Sequence, residues 1–327
     1  MHPWSAGAWR QLLAKRENLP QALLIHGPQG IGKLDLARRF AQLILCETAD
    51  VDEPCGRCDG CRWFAVGQHP DFRQIEPEAL AAPKEYADEA PVPSKTAKPS
   101  HEIKIDQVRE LTDFLNIGSH RGKRRLALFH PAEAMNANAA NSLLKSLEDP
   151  APGACFILIS NNNMSLLPTI RSRCISFPLG IPPEGDSLSW LEQQQVTDAA
   201  DWLAFVGGAP LLAREYAASD RGRLVGQLVA LLRKGGKTAL ATWTATDREH
   251  IEALAEVLQK WAYDQARGEF ASRGNFFVNS KSKRAMGREE RREWVRFSLE
   301  AGRYRVAARH PLNPKLFAAD LISRMPD

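Results

Sequence analysis

One short segment limits the fold of this chain more than any other: residues 27–33 read Gly-Pro-Gln-Gly-Ile-Gly-Lys. The run fits the G-x-x-x-x-G-K phosphate loop, and an apolar run at residues 22–26 comes directly before it. The apolar positions that follow recur at the spacing of one helical face: Leu36, Phe40, Leu43 and Ile44. Backbone N–H groups of such a loop surround phosphate oxygens, and the helix dipole adds positive charge. The candidate phosphate-binding residues are Gly27, Gly30, Gly32 and Lys33.

Strand and helix signals alternate through residues 1–180. Beyond the first strand, short apolar runs predict buried strands at residues 126–129, 155–160 and 175–179. Residues 138–147 predict a helix that ends at Asp149-Pro150, while Ile103 and Ile105 suggest a short extended piece with Asp106 as the cap of the next helix. Alternation of this kind predicts a parallel sheet covered on both faces, the α/β class to which P-loop domains belong.

After Pro182-Pro183 the strand signals stop, and apolar residues recur every three or four positions. We therefore predict three domains: the P-loop domain at residues 1–180, a small helical domain at 181–219 and a helical bundle at 220–327. Residues 77–100 interrupt the first domain with five prolines among Ala, Lys and Glu. Such a stretch cannot bury a core, so a mobile insertion is expected there.

Two groups needed for ATP hydrolysis are missing from their usual places. The residue after Lys33 should be Ser or Thr, whose hydroxyl ligates Mg²⁺, but it is Leu34. A later strand should end in an acid, yet the strand at 126–129 runs into His130-Pro131, and Glu133 and Glu148 come only after that end. These two losses predict a phosphate loop that turns over no ATP and needs no Mg²⁺, although nucleotide binding stays open.

Four of the six cysteines fall within sixteen residues: Cys46, Cys55, Cys58 and Cys61. Two-residue gaps let successive thiolates point at one centre, and four thiolates close a tetrahedral structural site for Zn²⁺. An iron–sulfur cluster or a disulfide pair is the competing interpretation. Cys155 and Cys174 lie in apolar settings and are expected to be inert.

Residues 1–5 lack the basic and apolar stretches of a signal peptide, and the longest apolar runs, such as residues 155–159, are too short to cross a bilayer. A cytoplasmic protein without membrane contact is therefore expected.

Taken together, the motifs resemble the clamp-loader branch of AAA+ proteins. The resemblance rests on the P-loop with a cysteine cluster after its helix, on Asn-Ser-Leu-Leu-Lys-Ser-Leu-Glu-Asp-Pro at residues 141–150 and on Ser-Arg-Cys at residues 172–174. Residues 312–316, Leu-Asn-Pro-Lys-Leu, are similar to the last helix of bacterial clamp-loader subunits. The match covers nearly the whole chain, and Leu34 and His130-Pro131 are departures typical of subunits that do not hydrolyse ATP.

This resemblance implies an AAA+ core, a helical lid and a helical collar through which five subunits form an open hetero-pentameric ring. The partners implied are ATPase motor subunits and a clamp-opening subunit, and through them the sliding clamp and primed DNA, within a DNA-directed DNA polymerase complex. It also implies that Arg173, in the Ser-Arg-Cys motif, acts in trans as an arginine finger on ATP bound by a neighbour.

Two other functions remain open at this point. One is an active ATPase motor with a rearranged metal site. The other is a zinc-containing DNA-binding module, because residues 221–327 carry 21 Lys and Arg against 12 Asp and Glu. Its basic segment runs from Arg273 to Arg296, with Phe276, Phe277 and Trp294 as aromatic residues for packing or for stacking on bases.

Overall fold

The computed structural model describes residues 1–326 apart from residues 17, 49–50, 82–98, 118–123, 268–274, 278–285, 309 and 311. The chain divides into two compact units, Met1–Ile181 and Pro182–Asp327. No helix within the described ranges is both long enough and apolar enough to span a membrane.

The first unit is built on five parallel strands in the order β2-β3-β4-β1-β5. The strands are β1 Ala22–His26, β2 Phe72–Ile75, β3 Arg125–Phe129, β4 Ala154–Ser160 and β5 Ile175–Pro178. Every residue of β3 and β4 is buried, which explains why both appear in the sequence as continuous apolar runs. The predicted α/β P-loop architecture with a parallel sheet is thereby confirmed.

Helices cover this sheet: α1 Ala6–Ala14, α2 Lys33–Leu45, α3 Asp59–Ala65, α4 Ile105–Asn116, α5 Ala137–Glu148 and α6 Pro168–Arg173. The expectation of an extended piece through Ile105 was wrong by two residues, because α4 already begins there and Lys104 is its N-cap. Only Ile103 keeps a strand-like pairing, an isolated bridge to Met135.

The register of the parallel strands places the phosphate loop and His130 at the same side of the sheet, where the strands' carboxyl ends lie. In the centre of the sheet, Leu23 of β1 aligns with Ile157 of β4 on one side and with Ile175 of β5 on the other. The carboxyl ends of parallel strands meet at the same edge, where ligands of open α/β sheets bind. The phosphate loop follows β1 at this edge, and His130 follows β3 there.

Most of the proline-rich insertion, residues 82–98, lies outside the described residues. Its two ends meet, because the amide of Ala79 donates to the carbonyl of Ser100 at 3.0 Å and Lys104 pairs with Glu78 at 2.7 Å. The mobility of this insertion stays a prediction.

The second unit is helical in its described ranges, as predicted. Its helices are α7 Glu184–Gln193, α8 Ala199–Phe205, α9 Pro210–Ala218, α10 Asp220–Leu240, α11 Arg248–Arg267, α12 Arg288–Ala307 and α13 Pro314–Ser323. Non-helical backbone at Gly235 and Gly236 breaks α10 into two parts. One apolar cluster draws on α8, on α9 and on the later helices, so the division at residue 219 stays a prediction.

Candidate functional site

The phosphate loop keeps the backbone shape that its glycines allow. Gly30 and Gly32 adopt left-handed conformations, with φ of 77° and 88°. A Cβ atom at Gly27 would collide with the carbonyl oxygen of Leu179, so this position also requires glycine. The sequence therefore folds the loop between β1 and α2 as the motif predicts.

Lys33 begins α2, but its side chain turns inward. The residue is 4% exposed, and Nζ donates to the carbonyl oxygen of Pro28 at 2.5 Å. Burial lowers the pKa of Lys33 to about 8, and the nearby carboxylate of Glu133 opposes that shift. The ammonium group that would meet a phosphate is thus held by its own loop.

The structure offers no oxygen ligand at the two places where a metal-dependent P-loop enzyme needs one. Position 34 carries an aliphatic side chain, and β3 is followed by His130, whose pKa is lowered by burial and by the charge of Lys33. Glu133 lies close to the same edge: its Oε1 accepts from the amide of Asn161 at 2.9 Å, and its Oε2 has no partner within the described residues. The carboxylate of Glu133 thus lies near enough to Lys33 to affect its pKa.

The four clustered cysteines converge on one point. All four Sγ atoms lie within 4.8 Å of one another, with Cys46–Cys58 and Cys55–Cys61 each at 3.9 Å. Four sulfurs arranged tetrahedrally at about 2.3 Å from one ion would lie roughly 3.8 Å apart. The residues present therefore fit a single tetrahedral ion, and sulfurs this close leave little room for a multinuclear cluster.

Local structure explains how these thiols are positioned. Cys46 caps the C-terminus of α2, and Cys58 is the N-cap of α3, where its Sγ accepts from the amide of Cys61 at 3.4 Å. The amide of Glu47 donates to the same sulfur at 3.5 Å, and the amide of Cys58 donates to Cys55 Sγ at 3.4 Å. All six cysteines are in described segments and none forms a disulfide, so that alternative was wrong.

The two remaining cysteines lie apart from this module. Cys155 is buried in β4 and Cys174 follows α6. Burial raises the pKa of Cys155 to about 12 and that of Cys174 to about 11, so both thiols stay protonated at neutral pH.

Arg173 is the last residue of α6 and has a carboxylate partner. Its guanidinium donates to Glu148 Oε1 at 2.6 Å and to the Thr169 carbonyl at 2.9 Å, with 34% of the side chain exposed. The pairing with Glu148, 25 residues away, has no signal in local spacing. It holds the arginine in one direction at the surface.

Arg171 points elsewhere. The two arginines do not share a face, because Pro168–Arg173 is a helix. Residues two apart on a helix point in nearly opposite directions, and Arg171 contacts the Met164 sulfur at 3.1 Å instead.

Part of the basic segment of the DNA-binding alternative lies outside the described residues, including Arg273, Lys281, Lys283 and Arg284, while its later arginines lie on α12. Its three aromatic residues are described: Phe277 is 3% exposed, Trp294 is 4% exposed, and Phe276 is partly buried against the same core. Side chains buried in the helical core cannot stack on bases, so their spacing reflects packing.

Comparisons with known proteins agree with one another. A family model described as "DNA polymerase III, delta subunit" matches residues 8–182. The DNA polymerase III subunit delta' of Pseudomonas aeruginosa is 38% identical over 218 residues, which cover 65% of this chain and 60% of the relative. The same subunit of Escherichia coli is 30% identical over 204 residues, covering 62% and 55%. The chain thus matches less than two thirds of the length of either relative.

Among solved structures, the gamma subunit-related protein of Thermotoga maritima superimposes with a TM-score of 0.45 at 17% identity. The superposition covers 96% of this chain and 97% of that one.

Proposed function

This chain belongs to the delta-prime family of DNA polymerase III clamp-loader subunits, and from that premise we propose that it is a subunit that does not itself hydrolyse ATP. It assembles with ATPase motor subunits and a clamp-opening subunit in a hetero-pentameric ring. This ring places the sliding clamp on primed DNA for the replicative polymerase.

The observation that carries the proposal is a phosphate loop with correct backbone and missing metal ligands. Leu34 cannot coordinate Mg²⁺, and His130 stands where an acid would hold the metal and orient water. Phosphoryl transfer depends on the metal to neutralise the developing charge, so a site without these ligands loses its main catalytic element. The loop keeps its shape because glycine at positions 27 and 32 allows the backbone conformation and the close contacts found there.

In this proposal Arg173 acts on ATP bound by the adjacent motor subunit. A guanidinium suits that role because its planar fork engages two phosphate oxygens and keeps its charge in a partly desolvated interface. Support comes from the position of Arg173 at the end of α6, where it is partly exposed and oriented by Glu148.

The cysteine module holds Zn²⁺ as a structural ion through Cys46, Cys55, Cys58 and Cys61. Bound zinc would supply a fixed, closed tetrahedral crosslink between the end of α2 and the start of α3, and no chemistry on substrate.

Reconstitution with the motor and clamp-opening subunits, sliding clamp and primed DNA tests the proposal. Arg173→Ala should leave assembly intact and reduce clamp-dependent ATP hydrolysis and clamp loading, and Arg173→Lys should restore little. An arginine finger contributes roughly 10³–10⁵ in rate at its own site. The total ATP hydrolysis rate of the ring should fall by less than that, because the other ATP sites of the ring keep their own arginines.

Arg171→Ala is the matched control, because this arginine lies on the same short helix and, among the described residues, contacts the Met164 sulfur instead of a carboxylate. Normal loading by Arg173→Ala rings would contradict the assigned role. Turnover by the isolated chain at the rate of a motor subunit would contradict the whole proposal.

A further inference from the structure

The phosphate loop is covered by residues that come before α1. The indole Nε1 of Trp4 donates to the carbonyl oxygen of Ile31 at 2.9 Å. The imidazole Nε2 of His2 lies 2.8 Å from a carboxylate oxygen of Asp35, in the first turn of α2. The two rings stack, with centroids 4.9 Å apart and planes 6° from parallel. We call this pair of side chains the His2–Trp4 cap.

The cap touches the loop backbone directly. A Cβ atom at Gly32 would lie 2.7 Å from His2 Cδ2, closer than real Cβ contacts allow, so the imidazole rests against this glycine. Glycine at position 32 thus allows two things: the left-handed backbone, with φ of 88°, and the close contact with the His2 ring. The hydrogen bond from His2 lowers the pKa of Asp35, which keeps this carboxylate ionised and able to accept.

Inside the loop, the ammonium group that a phosphate would need is also engaged. Lys33 donates to the Pro28 carbonyl, and only 4% of this residue is exposed. A phosphate group that engaged Lys33 would have to replace that contact. The carbonyls of Ile31 and Pro28 and the ammonium group of Lys33 are thus engaged by the chain itself.

From these contacts we infer that the His2–Trp4 cap blocks nucleotide binding to the phosphate loop. The chain's own side chains then lie where an approaching ATP would have to pass. A closed cap makes the binding-competent conformation a minor population, and the apparent affinity for nucleotide falls by that fraction. This inference concerns binding, and it depends neither on Arg173 nor on the lost metal ligands.

The experiment compares the full chain with His2→Ala/Trp4→Ala, using mant-ATP in EDTA as the probe and fluorescence anisotropy as the readout. We expect the double variant to bind mant-ATP at least about tenfold more tightly than the parent. This gain corresponds to a parent in which the closed conformation outnumbers the open one by about ten to one. The gain should disappear when Lys33→Ala is added, because binding in the loop needs the ammonium group.

Equal affinity of parent and double variant would overturn the inference, and so would a gain that persists with Lys33→Ala. Weaker binding by the double variant would also overturn it, since the cap would then be part of the binding site. If the double variant does not fold, Trp4→Phe keeps the ring and removes only the Nε1 donor. Tighter binding by Trp4→Phe supports the cap, and unchanged binding rejects it.

Hydrolysis measured on the same variants separates this inference from the proposed function. An opened loop that binds ATP without turnover agrees with both. Turnover by the opened loop would overturn the non-hydrolysing role while leaving the cap intact.

Discussion

Two buried polar clusters, one in each unit of this protein, are partnered differently. In the helical unit, Glu256 is 4% exposed and accepts from Tyr216 at 2.9 Å, Arg221 at 2.7 Å and Lys260 at 2.8 Å, with Arg305 at 3.5 Å. Burial would raise the pKa of Glu256, but Lys260, Arg305 and Arg221 outweigh burial and lower it to about 2. This network is complete without any ligand.

The α/β unit contrasts with it. Lys33 has a carbonyl as partner, and Glu133 Oε2 and His130 Nδ1 are buried without hydrogen bonds in the described part of the chain. Four thiols of the cysteine module face one another at distances suited to a shared ion. The charged cluster around Glu256 is satisfied by its own side chains, whereas Glu133, His130 and the four thiols leave polar atoms that a ligand or ion would satisfy.

Removing a metal ligand should have the largest effect on stability, because the cysteine module has no internal replacement for the ion. Cys58→Ser should abolish stoichiometric zinc and destabilise the region of α3 and β2 by roughly 5 kcal/mol. That is less than the ~10–16 kcal/mol of zinc-finger peptides, because the sheet keeps its own core. Metal analysis and hydrogen exchange of α3 in the full chain measure both effects.

Cys174→Ser is the control for this variant, since Cys174 is half-buried and outside the module. It should retain one zinc ion per chain. Iron in the purified protein, or four free thiols without metal, would reject the zinc assignment.

The second largest loss of stability is expected when the Glu256 network is broken. Glu256→Gln should destabilise α11 by about 3 kcal/mol, because three cations then face a neutral amide in a buried setting. Hydrogen exchange of α11 amides gives this local free energy within the full chain.

The matched control is Glu252→Gln on the same helix, one turn earlier, where the side chain is 27% exposed and pairs with Arg248 at 2.8 Å and with Arg221 at 3.5 Å. A half-exposed pair should cost about 1 kcal/mol or less. Equal effects of the two variants would show that the Glu256 network is not the stabilising element.

The smallest effect should come from Lys33→Met, which we expect to stabilise the α/β unit by about 1 kcal/mol at pH 7. In the parent, the pKa of Lys33 falls from 10.5 to about 8 on folding, so the free-energy penalty for burying its charge is fully present below pH 8. Between pH 8 and 10.5 the unfolded chain binds more protons, and the stability of the parent rises with pH.

The gain from Lys33→Met should therefore shrink at pH 9.5 relative to pH 7, as measured by urea unfolding at both values. Lys145→Met, at an exposed position on α5, should change stability by less than about 0.5 kcal/mol at either pH. A clear loss of stability from Lys33→Met would mean that Lys33 stabilises the loop.

Much of the α/β unit follows from local patterns. Strands β1, β3 and β4 are continuous apolar runs, and the phosphate loop and cysteine cluster depend on spacing along the chain. Strand β2 was missed because its four residues include Arg73 and Gln74, so no apolar run marks this edge strand. It is identified only by its pairing with β3.

Contacts between distant residues could not be predicted. Glu148 and Arg173 are 25 positions apart, and Trp4 and Ile31 are 27 apart, so neither pairing produces a periodic signal. The helical form of the Ser-Arg-Cys segment was missed because six residues are too few for periodicity to distinguish helix from strand.

Helix α2 joins the two ligand-type clusters of the α/β unit. It starts at Lys33 of the phosphate loop, and Cys46 of the cysteine module caps its far end, so its 13 residues form a rod of about 20 Å between them. An ion bound by the four thiols would fix one end of this rod and leave little freedom to tilt or slide at the other. The cysteine module would then help to set the position of the phosphate loop from about 20 Å away.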